Sequence, residues 1–217
     1  CWYDNWSERY WNGGKIMIGI IDYGVGNLGS VGNALKKLQM QFVISSNPSI
    51  LKKSHALILP GDGAAKEGMK NLIRNNLDTF IISEIQDGKS FLGICLGMQL
   101  LFSWSEEGNV DCLDIMKGKV KKLQANYKVP QIGWNNVKIN NNQGKLLHDI
   151  PDNSYFYFVH SYVCKPEDTS MITGTTNYGE EFCSVFEKRN VFTTQFHPEK
   201  SGEAGLQLIK NFFIKNV

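Results

Sequence analysis

The sequence predicts an α/β fold. A central, mostly parallel sheet is flanked by helices, and an additional antiparallel strand region fills the second half. Three observations predict it. Short apolar runs alternate with helical stretches between residues 17 and 94, the pattern of a parallel sheet covered on both faces. Between 119 and 195, short strand candidates follow one another with turn residues between them. The last segment, 201–216, repeats apolar residues at helical spacing.

The first strand is 17–22, and Tyr23-Gly24-Val25-Gly26-Asn27 leads from it into a helix that runs to about Gln39. Strands at 42–45 and 56–59 follow, and the second of them ends at Pro60-Gly61-Asp62-Gly63. One or two helices fill 64–86, and the strand at 90–94 meets Cys95. Ligands of such sheets bind beyond the carboxyl ends of the strands, so Gly61–Gly63 and Cys95 can share one cleft. In the second half the strand candidates are 119–123, 136–139, 154–160, 171–176, 183–187 and 191–195, with turn residues such as those at 140–142 between them. The closing helix, 201–216, carries Leu206, Ile209, Phe212 and Phe213 as its apolar stripe. Gly24-x-Gly26 lacks the third glycine of a dinucleotide fingerprint and reads as a tight turn near a cleft or partner.

No long linker or internal repeat divides the chain, so residues 17–217 read as one catalytic domain. Residues 1–16 differ in character from the rest of the chain: they hold three tryptophans and a Gly13-Gly14 pair. They read as a non-catalytic N-terminal extension, on which Tyr3, Trp6 and Tyr10 can share one helical face.

Composition excludes several classes. The net charge of +2, from 23 Lys+Arg against 21 Asp+Glu, makes no electrostatic case for nucleic acid. Cysteines at 1, 95, 112, 164 and 183 are odd in number and form no Cys-x-x-Cys, which argues against a disulfide framework or a zinc site. His55, His148, His160 and His197 show no metal-ligand spacing. No apolar run reaches membrane-spanning length and no signal-peptide pattern opens the chain, so a cytoplasmic location is expected. Nothing calls for a metal, nucleotide or flavin cofactor.

The chemistry concentrates in two stretches. Cys95 stands in Gly93-Ile94-Cys95-Leu96-Gly97-Met98-Gln99, directly after an apolar run. A cysteine with glycine two residues to either side reads as a nucleophile on a tight strand-to-helix turn. The glycines permit the bend, and the first amides of the helix favour thiolate. A lone cysteine is more often a small buried hydrophobe; its conjunction with His197-Pro198-Glu199 selects catalysis. His197 supplies the proton shuttle and Glu199 orients its imidazole. A terminal cysteine using its own amino group as base is a rival design. Cys1 holds that place, but Trp2 and Tyr3 do not match the Cys-Gly-Ile start of such enzymes.

The cysteine motif together with Gln195-Phe196-His197-Pro198-Glu199 resembles the class I (triad-type) glutamine amidotransferases. The stretches Ile21–Leu28, Gly133-Trp134-Asn135 and Tyr157–Tyr162 narrow the resemblance to the glutaminase subunits of imidazole glycerol phosphate synthases. It covers Met17 to Val217 and implies a flavodoxin-like fold. It implies that Cys95 attacks the side-chain amide of glutamine, with His197 and Glu199 completing a triad. Backbone amides of Leu96 and of Gly61-Asp62-Gly63 would hold the oxyanion, and Gln99, Ser161 and Tyr162 the amino acid end of glutamine. The ammonia would pass to a (β/α)₈-barrel cyclase in a heterodimer, with Asn27 and Trp134 near the partner face. His160 reads as a structural residue beside the pocket. The chain departs from the family's pattern at Asp62, where a small apolar residue is usual, and at Gln131, where histidine is common.

Other readings stay open on sequence. A paralogous glutaminase could feed a different synthase, such as one amidating a surface sugar. A γ-glutamyl hydrolase or peptidase would use the same nucleophile, and a binding module would carry the site without turnover.

Overall fold

The structure, a computed structural model, describes residues 16–140 and 144–216. Expectations for Cys1, for the face shared by Tyr3, Trp6 and Tyr10, and for turn residues 141 and 142 lie outside them.

Strand β1 (Met17–Ile21) is followed by helix α1 (Leu28–Lys37), strand β2 (Gln41–Ser45), the one-turn helix α2 (Pro48–Leu51) and strand β3 (Ala56–Leu59). Helices α3 (Ala65–Arg74) and α4 (Leu77–Gln86) lead to strand β4 (Ser90–Ile94) and a second one-turn helix, α5 (Leu96–Gln99). Strands β5 (Trp104–Ser105), β6 (Val110–Asp111), β7 (Gly118–Lys122), β8 (Gln131–Ile139), β9 (Ser154–His160) and β10 (Tyr162–Pro166) come next. Strands β11 (Ile172–Asn177), β12 (Glu181–Lys188) and β13 (Val191–Thr194) precede the closing helix α6 (Gly202–Asn216).

The described strands form a nine-stranded sheet in the order β2-β1-β3-β4-β13-β12-β11-β8-β9. Pairing is parallel from β2 through β13 and antiparallel from β13 through β9. A smaller sheet runs β10-β7-β5-β6. The division follows from composition. Every residue of β3 and β4 is buried, as expected of strands covered on both faces. Strand β9 instead alternates buried and partly exposed residues, the mark of a sheet with one wet face.

Alternation along the strands makes two cores. Ile18, Ile20, Leu92 and Ile94 face Phe192, Leu208, Ile209 and Phe212 on one side. Ile21, Leu57, Leu59 and Phe91 face Leu72, Ile81 and Phe102 on the other. Thr194 pairs with Ile94 and Leu59 with Gly93, so β3, β4 and β13 end together at one rim. Gly61, Cys95 and His197 lie just past those ends, which is how residues distant in sequence meet. No helix among the described residues is long and apolar enough to cross a membrane.

Candidate active site

Cys95 has φ 54° and ψ −108°, a left-handed backbone that a side chain rarely adopts. Such strain costs on the order of 1–3 kcal/mol and persists only where surroundings fix it. They do so here: the Cys95 amide donates to the Thr194 carbonyl at 2.7 Å, and the Gln99 amide donates to the Cys95 carbonyl at 3.1 Å. The flanking glycines serve close approach. A Cβ on Gly97 would overlap the Leu59 carbonyl oxygen, and one on Gly93 would stand 2.8 Å from the Gly97 carbonyl oxygen. The helix that begins at Leu96 is a single turn, so its dipole acts on the sulfur only through its first amides.

His197 is placed from two sides. Phe196 stacks on Phe156 with ring centroids 4.1 Å apart, wedging the segment into the core. The His197 amide donates to the Tyr157 carbonyl at 2.9 Å, and the Ser201 hydroxyl donates to the His197 carbonyl at 2.6 Å. Its Nδ1 lies 2.8 Å from Glu199 Oε1, and both side chains are almost sealed from water. Burial works against a charged ring. The negative charge of the Cys95 sulfur, then the hydrogen bond and charge of Glu199, overcome it and lift the His197 pKa to about 10. Nε2 has no hydrogen-bond partner among the described residues. The sulfur thus acts on the ring chiefly through its charge, and catalytic hydrogen bonds of this kind often tighten only when substrate binds.

The sulfur has two further neighbours. Gln195 Nε2 donates to Cys95 Sγ at 3.6 Å, and the Val159 carbonyl lies 3.7 Å from it. Gln99 sets the Gln195 amide in this orientation: its own Nε2 donates to Gln195 Oε1 at 3.2 Å and to the Tyr162 carbonyl at 3.0 Å. Sequence reasoning missed the part played by Gln195, although it stands two residues before His197.

A cleft of about 260 Å³ opens over Cys95, at the small end for ligand sites. Asp62, Gly63, Leu96, Gln99, Ser161 and Tyr162, expected from sequence, all line it. Glu107, which sequence reasoning did not single out, lines it too; one of its carboxylate oxygens accepts the Ala65 amide at 2.8 Å. The Leu96 amide, expected to face an oxyanion, donates instead to the Gly61 carbonyl at 3.4 Å. Asp62 is exposed.

His160 also borders the cleft. Its Nδ1 is 3.0 Å from the Tyr162 carbonyl and its Nε2 is 3.0 Å from Gln131 Oε1. Burial, with the nearby charge of His197, lowers its pKa to about 4 even though the Tyr162 carbonyl favours the proton. Both ring nitrogens thus face oxygen acceptors, to one of which a neutral ring donates. Asn27 is exposed and caps α1, its Oδ1 accepting the Ser30 amide at 3.0 Å. Trp134 is 56% exposed and meets Tyr157 edge-on at 6.1 Å.

Comparison with known proteins agrees with this geometry. The family described as "Glutamine amidotransferase class-I" matches residues 19–216. The chain is 46% identical over 198 residues to "Imidazole glycerol phosphate synthase subunit HisH" of Dehalococcoides mccartyi strain 195, covering 91% of this chain and 96% of that protein. It is 47% identical over 199 residues to the HisH subunit of Chlorobaculum tepidum, covering 90% and 98%. Among solved structures, PurLQS from Thermotoga maritima superposes with a TM-score of 0.74 at 17% identity, over 92% of this chain and 98% of that one; this likeness shows the fold. The chain therefore belongs to the class I glutamine amidotransferases, as an enzyme subunit of the HisH family of imidazole glycerol phosphate synthases.

Proposed function

We propose that residues 17–217 form a glutaminase whose ammonia passes to a (β/α)₈-barrel cyclase making imidazole glycerol phosphate in histidine biosynthesis. The observation that carries this is the Cys95–His197–Glu199 constellation at the sheet rim, beside a cleft lined by Glu107 and Gln99.

Glutamine enters with its side-chain amide over the sulfur. Glu107 receives its α-ammonium, and the wall formed by Ser161 and Tyr162 holds the amino acid end. A charged His197 beside the sulfur favours the thiolate, and the Gln195 amide adds a donor to it. The thiolate attacks the amide carbon, and the carbonyl oxygen becomes an oxyanion. His197 gives its proton to the departing ammonia, and a γ-glutamyl thioester remains on Cys95. Water, deprotonated by His197, then releases glutamate. Glu199 holds the ring in the useful tautomer throughout.

The oxyanion requires the Leu96 amide. That amide is taken by the Gly61 carbonyl, so turnover waits on rotation of the Gly61–Asp62 peptide. A missing oxyanion donor costs about 3–4 kcal/mol of barrier, enough to keep the isolated subunit nearly silent. We assign the switch to the cyclase, which docks on the face carrying Asn27 and Trp134. A reducing cytoplasm suits the free thiols at Cys95, Cys112, Cys164 and Cys183. Residues 1–16 take no part in the chemistry.

Glutamate release should be slow for the chain alone and strongly stimulated by the cyclase with its phosphoribosyl-formimino ribonucleotide. Turnover that ignores this cyclase would point to a different synthase as client. Cleavage of γ-glutamyl peptides in preference to glutamine would overturn the amidotransferase assignment.

A further inference from the structure

We propose that the Tyr23 hydroxyl takes over the Gly61 carbonyl when that carbonyl leaves the Leu96 amide, and so holds the oxyanion position open. The inference rests on the glutaminase reading and adds a positioning residue to it.

Tyr23 lies just past β1 at the same rim as Cys95 and is 1% exposed. Its hydroxyl is buried and has no hydrogen-bond partner among the described residues. Buried hydroxyls are nearly always paired, so an orphan of this kind asks for a second state in which it is satisfied. Its neighbour identifies that state: a Cβ on Gly61 would overlap the Tyr23 hydroxyl and would stand 2.8 Å from Leu96 Cβ. The hydroxyl is thus packed directly on the residue whose carbonyl blocks the site.

The hydrogen-bond inventory favours the exchange. In the closed state the Gly61 carbonyl accepts from the Leu96 amide over a long 3.4 Å, while Tyr23 donates to nothing among the described residues. Rotation of the 61–62 peptide frees the Leu96 amide for the oxyanion but would orphan the Gly61 carbonyl in a buried place. A donor already sits against that residue. Burial, and after it the negative charges of Cys95 and Asp62, hold the Tyr23 proton in place, so it remains a donor through the reaction. Gly26 extends the contact: a Cβ there would lie 3.1 Å from Gly61 Cα, so the segment from Tyr23 to Asn27 rests on the Gly61 strand. A partner pressing on Asn27 has a short mechanical path to the blocking peptide.

Tyr23→Phe keeps the ring and removes only the hydroxyl. In the full chain with the cyclase and its nucleotide, kcat for glutamine should fall at least about tenfold, a fraction of what losing an oxyanion donor outright does. KM for glutamine should stay near the wild-type value. So should the rate at which iodoacetamide alkylates Cys95, because alkylation makes no oxyanion. The melting temperature of the chain alone should rise, since a partnerless buried hydroxyl is gone. Unchanged kcat would overturn the proposal. A parallel loss of kcat, alkylation rate and melting temperature would also overturn it, as the signature of a merely structural tyrosine. If the wild-type pair releases no glutamate at all, the glutaminase reading itself fails and this inference with it.

Discussion

Glu199→Gln tests how the carboxylate governs His197. Glu199 Oε1 stands 2.8 Å from Nδ1, with the two side chains 2% and 3% exposed. Burial alone would drive the ring neutral; the Cys95 sulfur and then Glu199 hold it charged to about pH 10. Glutamine keeps the shape and removes the charge. A hydrogen bond to a charged group is worth about 1.5–3 kcal/mol, and one pKa unit is about 1.4 kcal/mol. The ring in the variant should therefore titrate about 1–2 pH units lower. The amide can also turn its NH₂ toward Nδ1, which favours the wrong tautomer. Loss of the acid in comparable triads lowers kcat by about 10⁴, and a fall of about 10²–10⁴ is expected here. Two assays read it: glutamate release with the cyclase present, and the pH profile of Cys95 alkylation by iodoacetamide. An alkylation profile superimposable on wild type, with turnover preserved, would refute the reasoning.

Three other outcomes are expected of the same structure. His160, held neutral with a pKa of about 4 against 6.5 for the free ring, binds fewer protons folded than unfolded between those values. Stability should therefore be full above pH 6.5 and fall by about 3 kcal/mol as pH drops toward 4, and His160→Gln should flatten that part of a urea-denaturation series. Gln195→Leu removes the amide donor to the sulfur; Cys95 alkylation at neutral pH should slow by about tenfold, and an unchanged rate would deny Gln195 any hold on the thiolate. Gly97→Ala drives a methyl into the Leu59 carbonyl, so it should cost about 1–3 kcal/mol in chemical denaturation; wild-type stability would show that the elbow has room to spare.

Much of this architecture was legible because the sequence states it locally. The continuous apolar runs at β3 and β4 and the alternation of β9 give their strands residue for residue. The helix after Cys95 was legible, though not its single-turn length; the single-turn helix α2 and the two-residue strands β5 and β6 were not, since so few residues carry no period. Strand β8 begins at Gln131, five residues before the expected start; Gly133 and the asparagines after Trp134 hide it, and seven-residue pairing with β9 sustains it. Strand β10 went unread because it joins a separate small sheet through β7. At the site, spacing around Cys95 and His197 announced the chemistry. The Gly61 carbonyl on the Leu96 amide, the Glu107 carboxylate in the cleft and the orphaned Tyr23 hydroxyl are products of tertiary packing. Trp134 could have been a core residue on sequence alone; its exposure on β8 leaves it available to a partner.

The most direct test of the account is to quench the stimulated enzyme during turnover of labelled glutamine and map the adduct by mass spectrometry. A γ-glutamyl thioester on Cys95, lost in Cys95→Ser and diminished when His197 is replaced by Asn, is the predicted result. Label on Cys1, or undiminished turnover by Cys95→Ser, would contradict it.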